Sequence, residues 1–443
     1  KSFSMKPLIV LAIVSTFVSL VIGAIELEDV ANICANETLI LKLTSSASFD
    51  RNSISSSTLR CIIIRNTDVN IKEGSFENVP NLKYLDLRGN RIFASNLFSF
   101  GNISHLKILN LDHQDRNDYY SQSVIIPSKY PELEYLDLSY ASINDIRVSI
   151  ENPWLNPFPN LIHLNLSGNE ISSSLSQMTL PSTLMHLDLS KNRISRFSFR
   201  GLNNLLSLTL DYNNIRSLSY SYVDLKSMQN LVNLSITNNE IYDIRDSIEN
   251  LFSLQYLNLS HNSLSNFDFN MIKDLHLLKV LVLDSNSIDA LSVSTHSNIT
   301  TLSLNCNRII HITINSFYNL RNLRELFLTG NMIQDIYVDS FQNQELLEEL
   351  YLDDNDLSNL PPDWCQFMKK LRYLNLSGNK FTSLESVLYK PNLPVTQLYF
   401  ERNPITYINA SLLEISPKMM IFLNVGPTSH RVPCKQQNGG GGI

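Results

Sequence analysis

Residues 323–333 read Leu323-Arg324-Glu325-Leu326-Phe327-Leu328-Thr329-Gly330-Asn331-Met332-Ile333. Residues 161–171 repeat the pattern with Leu161, Leu164, Leu166, Asn169 and Ile171. Both fit the unit L-x-x-L-x-L-x-x-N-x-I/L, and working outward from either stretch finds the unit again. Its first apolar position falls at 59, 82, 106, 133, 161, 184, 205, 231, 254, 278, 299, 323, 347, 371 and 395. That makes fifteen units at steps of 21 to 28 residues, most often 23 or 24. A fixed period in this range marks a stacked solenoid, because no unit can bury its apolar side except against its neighbours. Such an array is first of all an extended binding surface, so recognition rather than chemistry is the expected class.

Within each unit the L-x-L segment reads as a short strand. Its leucines point into the solenoid and the alternate residues point out onto a concave sheet face. The ninth-position Asn (Asn90, Asn169, Asn213, Asn262, Asn331, Asn355 and others) stands where the chain turns away from the strand. A stacked amide that both donates and accepts can satisfy backbone groups the turn leaves buried, so these are scaffold residues. A second apolar marker precedes each unit's first Leu by six residues, as at Phe76, Phe100, Phe199, Phe317 and Phe341. This is the convex-side stack.

The F-x-x-L plus 24-residue form resembles the leucine-rich repeats of extracellular animal proteins, over about four-fifths of the chain. Toll-like receptor ectodomains, chaoptin-like adhesion proteins and secreted arthropod immune proteins share it. The resemblance implies an α/β solenoid, a horseshoe with a parallel concave β-sheet and irregular or short helical convex segments. Two departures matter. Toll-type ectodomains carry a C-x-C pair after the Asn-Pro of the last repeat, whereas here Asn403-Pro404 is followed by residues 405–413 without cysteine. No intracellular signalling domain is present in the sequence, so direct receptor signalling is not expected.

The ends suggest the compartment. Met5 and Lys6 precede an apolar run from Leu8 to Ile22, and Gly23-Ala24 offers small residues for cleavage. Residues 1–24 therefore read as a secretory signal peptide, with residues 1–4 ahead of a plausible start. The remaining divisions are an N-terminal cap at 25–58, repeats at 59–408, and a C-terminal cap and tail at 409–443. Loss of the leader leaves 33 basic against 42 acidic residues, a net charge of −9, which argues against nucleic-acid binding. No later stretch has the length of a membrane span. The reading is a secreted, extracellular chain; the alternative is a cell-surface adhesion or Toll-like ectodomain whose anchor lies elsewhere. Eight N-x-S/T sequons at Asn36, Asn102, Asn165, Asn233, Asn258, Asn298, Asn375 and Asn409 fit that compartment.

Five cysteines leave at least one outside any intrachain pair. Cys34 and Cys61 flank the start of the first repeat, where a disulfide would cover the end of the core. Cys365 occupies a slot that holds Phe elsewhere; it is read as a buried thiol or as a partner for Cys434. Cys306 is a spare thiol or a link to another chain, and a leftover Cys434 would permit a disulfide-linked dimer. No cofactor is expected, and no zinc spacing appears.

Phe327, Tyr351 and Tyr399 sit on the concave face among Glu325, Glu349, Asp353 and Asp354. Exposed aromatics framed by charge suit a protein ligand, so these are the candidate contacts. The excursion from Asp112 to Tyr130, with Asp115, Arg116, Asp118, Tyr119 and Tyr120, replaces the usual Asn and is a second candidate. His163 and His186 fall at the same position of adjacent units near Asp188, a spacing compatible with a shared metal ion or with acid-driven repulsion. The leading reading of the pair is two solvent-exposed polar residues, and no active site is assigned there. No nucleophile elbow, phosphate loop or H-E-x-x-H motif points to an enzyme. The expected partner is an extracellular protein or a microbial surface ligand, plausible in innate immunity.

Overall fold

The computed structural model describes residues 32–34, 37–42, 46–114, 122–149, 156–172, 180–198, 201–220, 222–245, 247–388, 393–409, 411, 419–424 and 434. The leader at 1–24, Asn36, residues 115–121 of the inserted loop, Phe199, and residues 425–443 apart from Cys434 lie outside them. The chain divides into two compact units, residues 1–188 and 189–443. Each is a solenoid of stacked parallel strands.

In the first unit the strands Thr38–Leu41, Cys61–Ile64, Tyr84–Asp86, Ile108–Asn110, Tyr135–Asp137, His163–Asn165 and His186–Asp188 pair side by side. In the second, the sheet runs from Ser207–Thr209 through Glu325–Phe327 to Gln397–Tyr399 and Met420–Phe422. The register places like on like: Leu302, Leu326, Leu350 and Leu374 meet across successive strands, each 0–1% exposed. Both caps contribute a strand, Thr38–Leu41 and Met420–Phe422, so pairing runs one rung past the repeats at either end. Among the described residues helix is nearly absent; the opposite side is built from turns, short 3-10 segments at Ala94–Asn96 and Phe269–Ile272, and two-stranded pairs such as His311–Ile312 with Asp335–Ile336.

The ninth-position amides form the expected ladder. Asn355 Oδ1 accepts from the Ile333 N–H at 3.0 Å, while its Nδ2 donates to the carbonyls of Leu328 (2.9 Å) and Leu352 (3.0 Å). Asn262, Asn286, Asn307, Asn331, Asn379 and Asn403 repeat this arrangement. The unit at Leu106 does not lose its ladder residue, contrary to the sequence reading. Gln114 stands ninth there, accepts from the Ile92 N–H (2.9 Å) and donates to the Leu87 carbonyl (2.6 Å). One extra methylene is absorbed without loss of the amide chemistry. On the far side the apolar markers stack, Phe76 on Phe100 at 6.2 Å and Phe317 on Phe341 at 5.7 Å.

The eighth position carries a feature the periodicity did not announce. From Asn66 to Arg402, all fifteen eighth residues have φ between 50° and 70°. Most of their N–H groups donate to the seventh-position carbonyl of the next rung, as Cys306 does to Thr329 and Asp354 to Ser377 (both 2.8 Å), while Arg402 donates to Asn424 Oδ1 (3.0 Å). The left-handed turn keeps the backbone bonded beyond the strand, which offsets the strain at non-glycine residues.

Disulfides join Cys34 to Cys61 and Cys306 to Cys434. The first closes the N-terminal core, where Cys34, Cys61 and Tyr84 pack together. The second corrects the sequence reading, which held Cys306 as a spare thiol and paired Cys434 with Cys365 or with another chain. Cys306 sits on the left-handed turn at the sheet edge, and Cys434 returns to that edge beside Gly330, whose carbonyl lies 3.6 Å from its sulfur. A Cβ on Gly330 would fall 2.5 Å from that sulfur, at φ +70°. Cys365, in the Phe slot, is half-buried.

Candidate functional site

The sheet face at the C-terminal end of the second unit is floored by rings. Centroids follow one another from Phe327 to Tyr351 (4.6 Å), Tyr373 (4.7 Å), Tyr399 (5.1 Å) and Phe422 (4.3 Å). Strand spacing explains the row: rungs about 4.8 Å apart hold side chains at the distance of stacked rings. Tyr373, a third-position residue, leans into the fifth-position row where the smaller Asn375 leaves space. The consequence corrects the sequence reading. Phe327 and Tyr351 are 3% and 2% exposed, so they are not free anchors; each face is covered by its neighbour. Tyr399 is half-buried.

The acids above this floor are held in place. Glu349 accepts from the Tyr351 hydroxyl at 2.9 Å and faces Arg372 at 3.5 Å. Arg372 also reaches Glu348 (3.1 Å), which binds Arg324 (2.6 Å). Asp354 pairs with Arg402 at 2.5 Å. Glu325 accepts from Thr301 Oγ1 (3.1 Å), and burial raises its carboxyl above the ordinary range. Asp353 accepts from Thr329 Oγ1 (2.8 Å), and desolvation pushes it up to about 6. Asp284, bound by Ser303 Oγ (2.6 Å) and the Asn305 N–H (2.8 Å), is likewise pushed to about 6 by burial. The surface is thus a rigid lattice of paired charge over stacked rings, with Arg372 the most open of the named groups.

In the first unit Asp86 is fully enclosed. It is held by Arg65, by Arg88 Nη2 at 2.8 Å and by the Tyr84 hydroxyl at 3.0 Å, and these cations keep its carboxyl below the usual range against the cost of burial. His163 and His186 stack with centroids 4.4 Å apart and planes 3° from parallel. Desolvation and the neighbouring His186 lower the His163 imidazole to about 4; desolvation lowers His186. Parallel rings send their in-plane lone pairs side by side rather than toward one point, so this geometry does not assemble a chelate. With His163 lowered to about 4, the pair does not carry two charges at mildly acidic pH. Among the described residues no group of three or more His, Cys, Asp or Glu is placed to hold a metal, and no helix is long and apolar enough to cross a membrane.

The sequons divide by environment. Asn102 is exposed, and Asn165, Asn233, Asn258, Asn298 and Asn409 are half-buried. Asn375 is 7% exposed, in register between Tyr351 and Tyr399. It is the most enclosed of the described sequon asparagines.

A model described as Leucine rich repeat matches residues 229–288, 297–357 and 345–405, and a second, Leucine Rich Repeat, matches 81–103. Leucine-rich repeats are thus matched over part of the chain, and the solenoid is of that fold. It is 28% identical to lumican of Gallus gallus over 56% of this chain and 71% of that protein. It is 29% identical to osteomodulin of Bos taurus over 50% of each chain, and 33% identical to human oligodendrocyte-myelin glycoprotein over 37% of each. The chain therefore spans half or less of the length of the latter two. In fold it is similar to a leucine-rich repeat protein of Leptospira interrogans, with a TM-score of 0.56, 22% identity, and coverage of 82% of this chain and 95% of that one. An internalin of Listeria monocytogenes gives 0.51 and 21%, covering 69% and 87%. The family and relatives are of a binding kind, and the chain is a binding protein rather than an enzyme.

Proposed function

We propose that this chain is a secreted, glycosylated recognition protein. Its ligand is an extracellular protein or a microbial surface molecule, in the setting of innate immunity. The observation that carries the reading is the lattice over rungs 325 to 399: side chains already ordered by stacking and ion pairing lose little entropy when a partner docks. The aromatic row acts as the floor, and Glu325, Glu349, Arg372 and the edge of Tyr399 supply the contact. The leader-like segment and the sequons support the extracellular setting.

Expression of the full chain in a secretory eukaryotic host tests the compartment. The reading requires protein in the medium that gains mobility on enzymatic deglycosylation. A cross-linked partner recovered from extracellular fluid then tests the face. The double charge reversal Glu325→Lys with Arg372→Glu should weaken its binding at least tenfold while circular dichroism stays unchanged. Unaltered affinity would move the contact off this face.

A further inference from the structure

Two of the second unit's sequons, Asn233 and Asn258, lie on adjacent rungs of the sheet face, with Asn233 paired to Tyr256 and Ser235 to Asn258. Both are half-buried rather than enclosed. At Asn258 the side-chain oxygen is turned inward, where it accepts from the Ser260 N–H (3.0 Å) and Oγ (2.6 Å). Its nitrogen, the atom a glycan modifies, also hydrogen-bonds the Tyr256 hydroxyl, so the half-exposure of the residue is what opens it to modification. Asn375 is the third face sequon of this unit and has the opposite setting. Its oxygen also accepts locally, from the Ser377 N–H at 3.1 Å. Its neighbours in register, however, are Tyr351 and Tyr399, and Tyr373 fills the row beside it. A sugar on that nitrogen would have to part rings that stack at 4.7 and 5.1 Å.

We infer that N-glycans at Asn233 and Asn258 shield the first rungs of this face, while Asn375 stays unmodified and the rungs from Glu325 to Gln397 remain bare. The inference rests on the secretory reading above and sharpens it by saying where on the face a macromolecular ligand can land. The spacing supports the division. From the Asn258 rung to the Glu325 rung is three steps, roughly 14 Å at the usual separation of neighbouring strands. A bulky glycan on Asn258 therefore sweeps over the Val280 and Thr301 rungs before it reaches the aromatic floor. The shield and the floor lie on the same sheet and do not compete for the same rungs.

The experiment is glycopeptide mass spectrometry on secreted full chain, with deglycosylation in heavy-oxygen water to mark each site that carried sugar. Most molecules should be marked at Asn233 and Asn258 and unmarked at Asn375. Asn375→Gln should leave gel mobility and secretion yield unchanged, whereas Asn258→Gln should remove one glycan's worth of mass. Heavy label at Asn375 in folded, secreted protein would overturn the inference while leaving the extracellular reading intact. So would bare Asn233 and Asn258 alongside occupied Asn102 or Asn409. Absence of sugar at every sequon of the secreted protein would overturn the glycosylated reading and the division of the face with it.

Discussion

Replacing Tyr351 by alanine separates a buried floor from an exposed anchor. The ring is 2% exposed, with Phe327 at 4.6 Å on one face and Tyr373 at 4.7 Å on the other. Removing about 150 Å² of buried ring surface at about 25 cal/mol per Å² costs about 4 kcal/mol. Loss of two ring contacts adds about 0.5–1.5 kcal/mol each, whereas residual burial in the unfolded chain and closure of Phe327 toward Tyr373 subtract from the total. The expected net loss is about 3–4 kcal/mol, roughly 10 °C in the melting midpoint for a unit of this size. Tyr351→Phe keeps the stack and loses the hydroxyl's bonds to Glu349 and Tyr373, so it should cost about 1 kcal/mol. Thermal and urea unfolding followed by circular dichroism measure both, with Phe327→Ala completing a double-mutant cycle whose coupling should be about 1 kcal/mol or more. A Tyr351→Ala protein that melts within about 2 °C of wild type would refute the buried row and restore the ring as a free contact.

Other consequences follow from the scaffold. Asn355→Ala leaves the Ile333 N–H and the Leu328 and Leu352 carbonyls without their side-chain partner, and should cost about 3 kcal/mol in urea unfolding. The half-buried Asn343→Ala, which loses one solvent-exposed bond to the Tyr318 carbonyl, should cost about 0.5 kcal/mol or less; equal effects would refute the ladder. Asp284 titrates near 6 when folded against an ordinary 3.8, so the folded state binds more protons between those values and its contribution to stability falls as pH rises through that window. Asp284→Asn should therefore gain about 1–2 kcal/mol over wild type at pH 8, after allowance for solvent screening. The gain should vanish by pH 4, and a pH-independent difference would sink the argument. Peptide mapping without reduction should recover Cys306 joined to Cys434, and Cys434→Ser should lose about 4 kcal/mol. A dimer linked through Cys306 or Cys434 would contradict that pairing, and Gly330→Ala should expose free thiol by crowding the bond.

The parts of this molecule that were legible in the sequence are those whose chemistry repeats at every turn. Leu326 and Leu350 are buried because the period places them so. Asn331 and Asn355 bond the same three groups because each turn presents the same three groups. What escaped depends on which residue stands beside which across rungs. Phe327 and Tyr351 occupy positions that pattern alone assigns to the outer face, and they are buried because rings on neighbouring rungs lie 4.6 and 4.7 Å away. The signal was present in Phe327, Tyr351, Tyr373 and Tyr399 falling on consecutive rungs, but reading it requires the sheet register as well as the period. Gln114 was missed for the opposite reason: its function is kept while its letter differs. Cys306 and Cys434 are 128 residues apart, and no local periodicity reaches that far. The left-handed turn that sets Cys306 at the sheet edge had left a trace, since Gly89, Gly168, Gly330 and Gly378 share its eighth position. A two-dimensional reading, with rungs as rows and repeat positions as columns, therefore carries the face as well as the fold. The floor of the candidate site is a column property: it follows from aromatic residues accumulating where successive strands bring them into contact, and its rigidity has the same cause as its concealment.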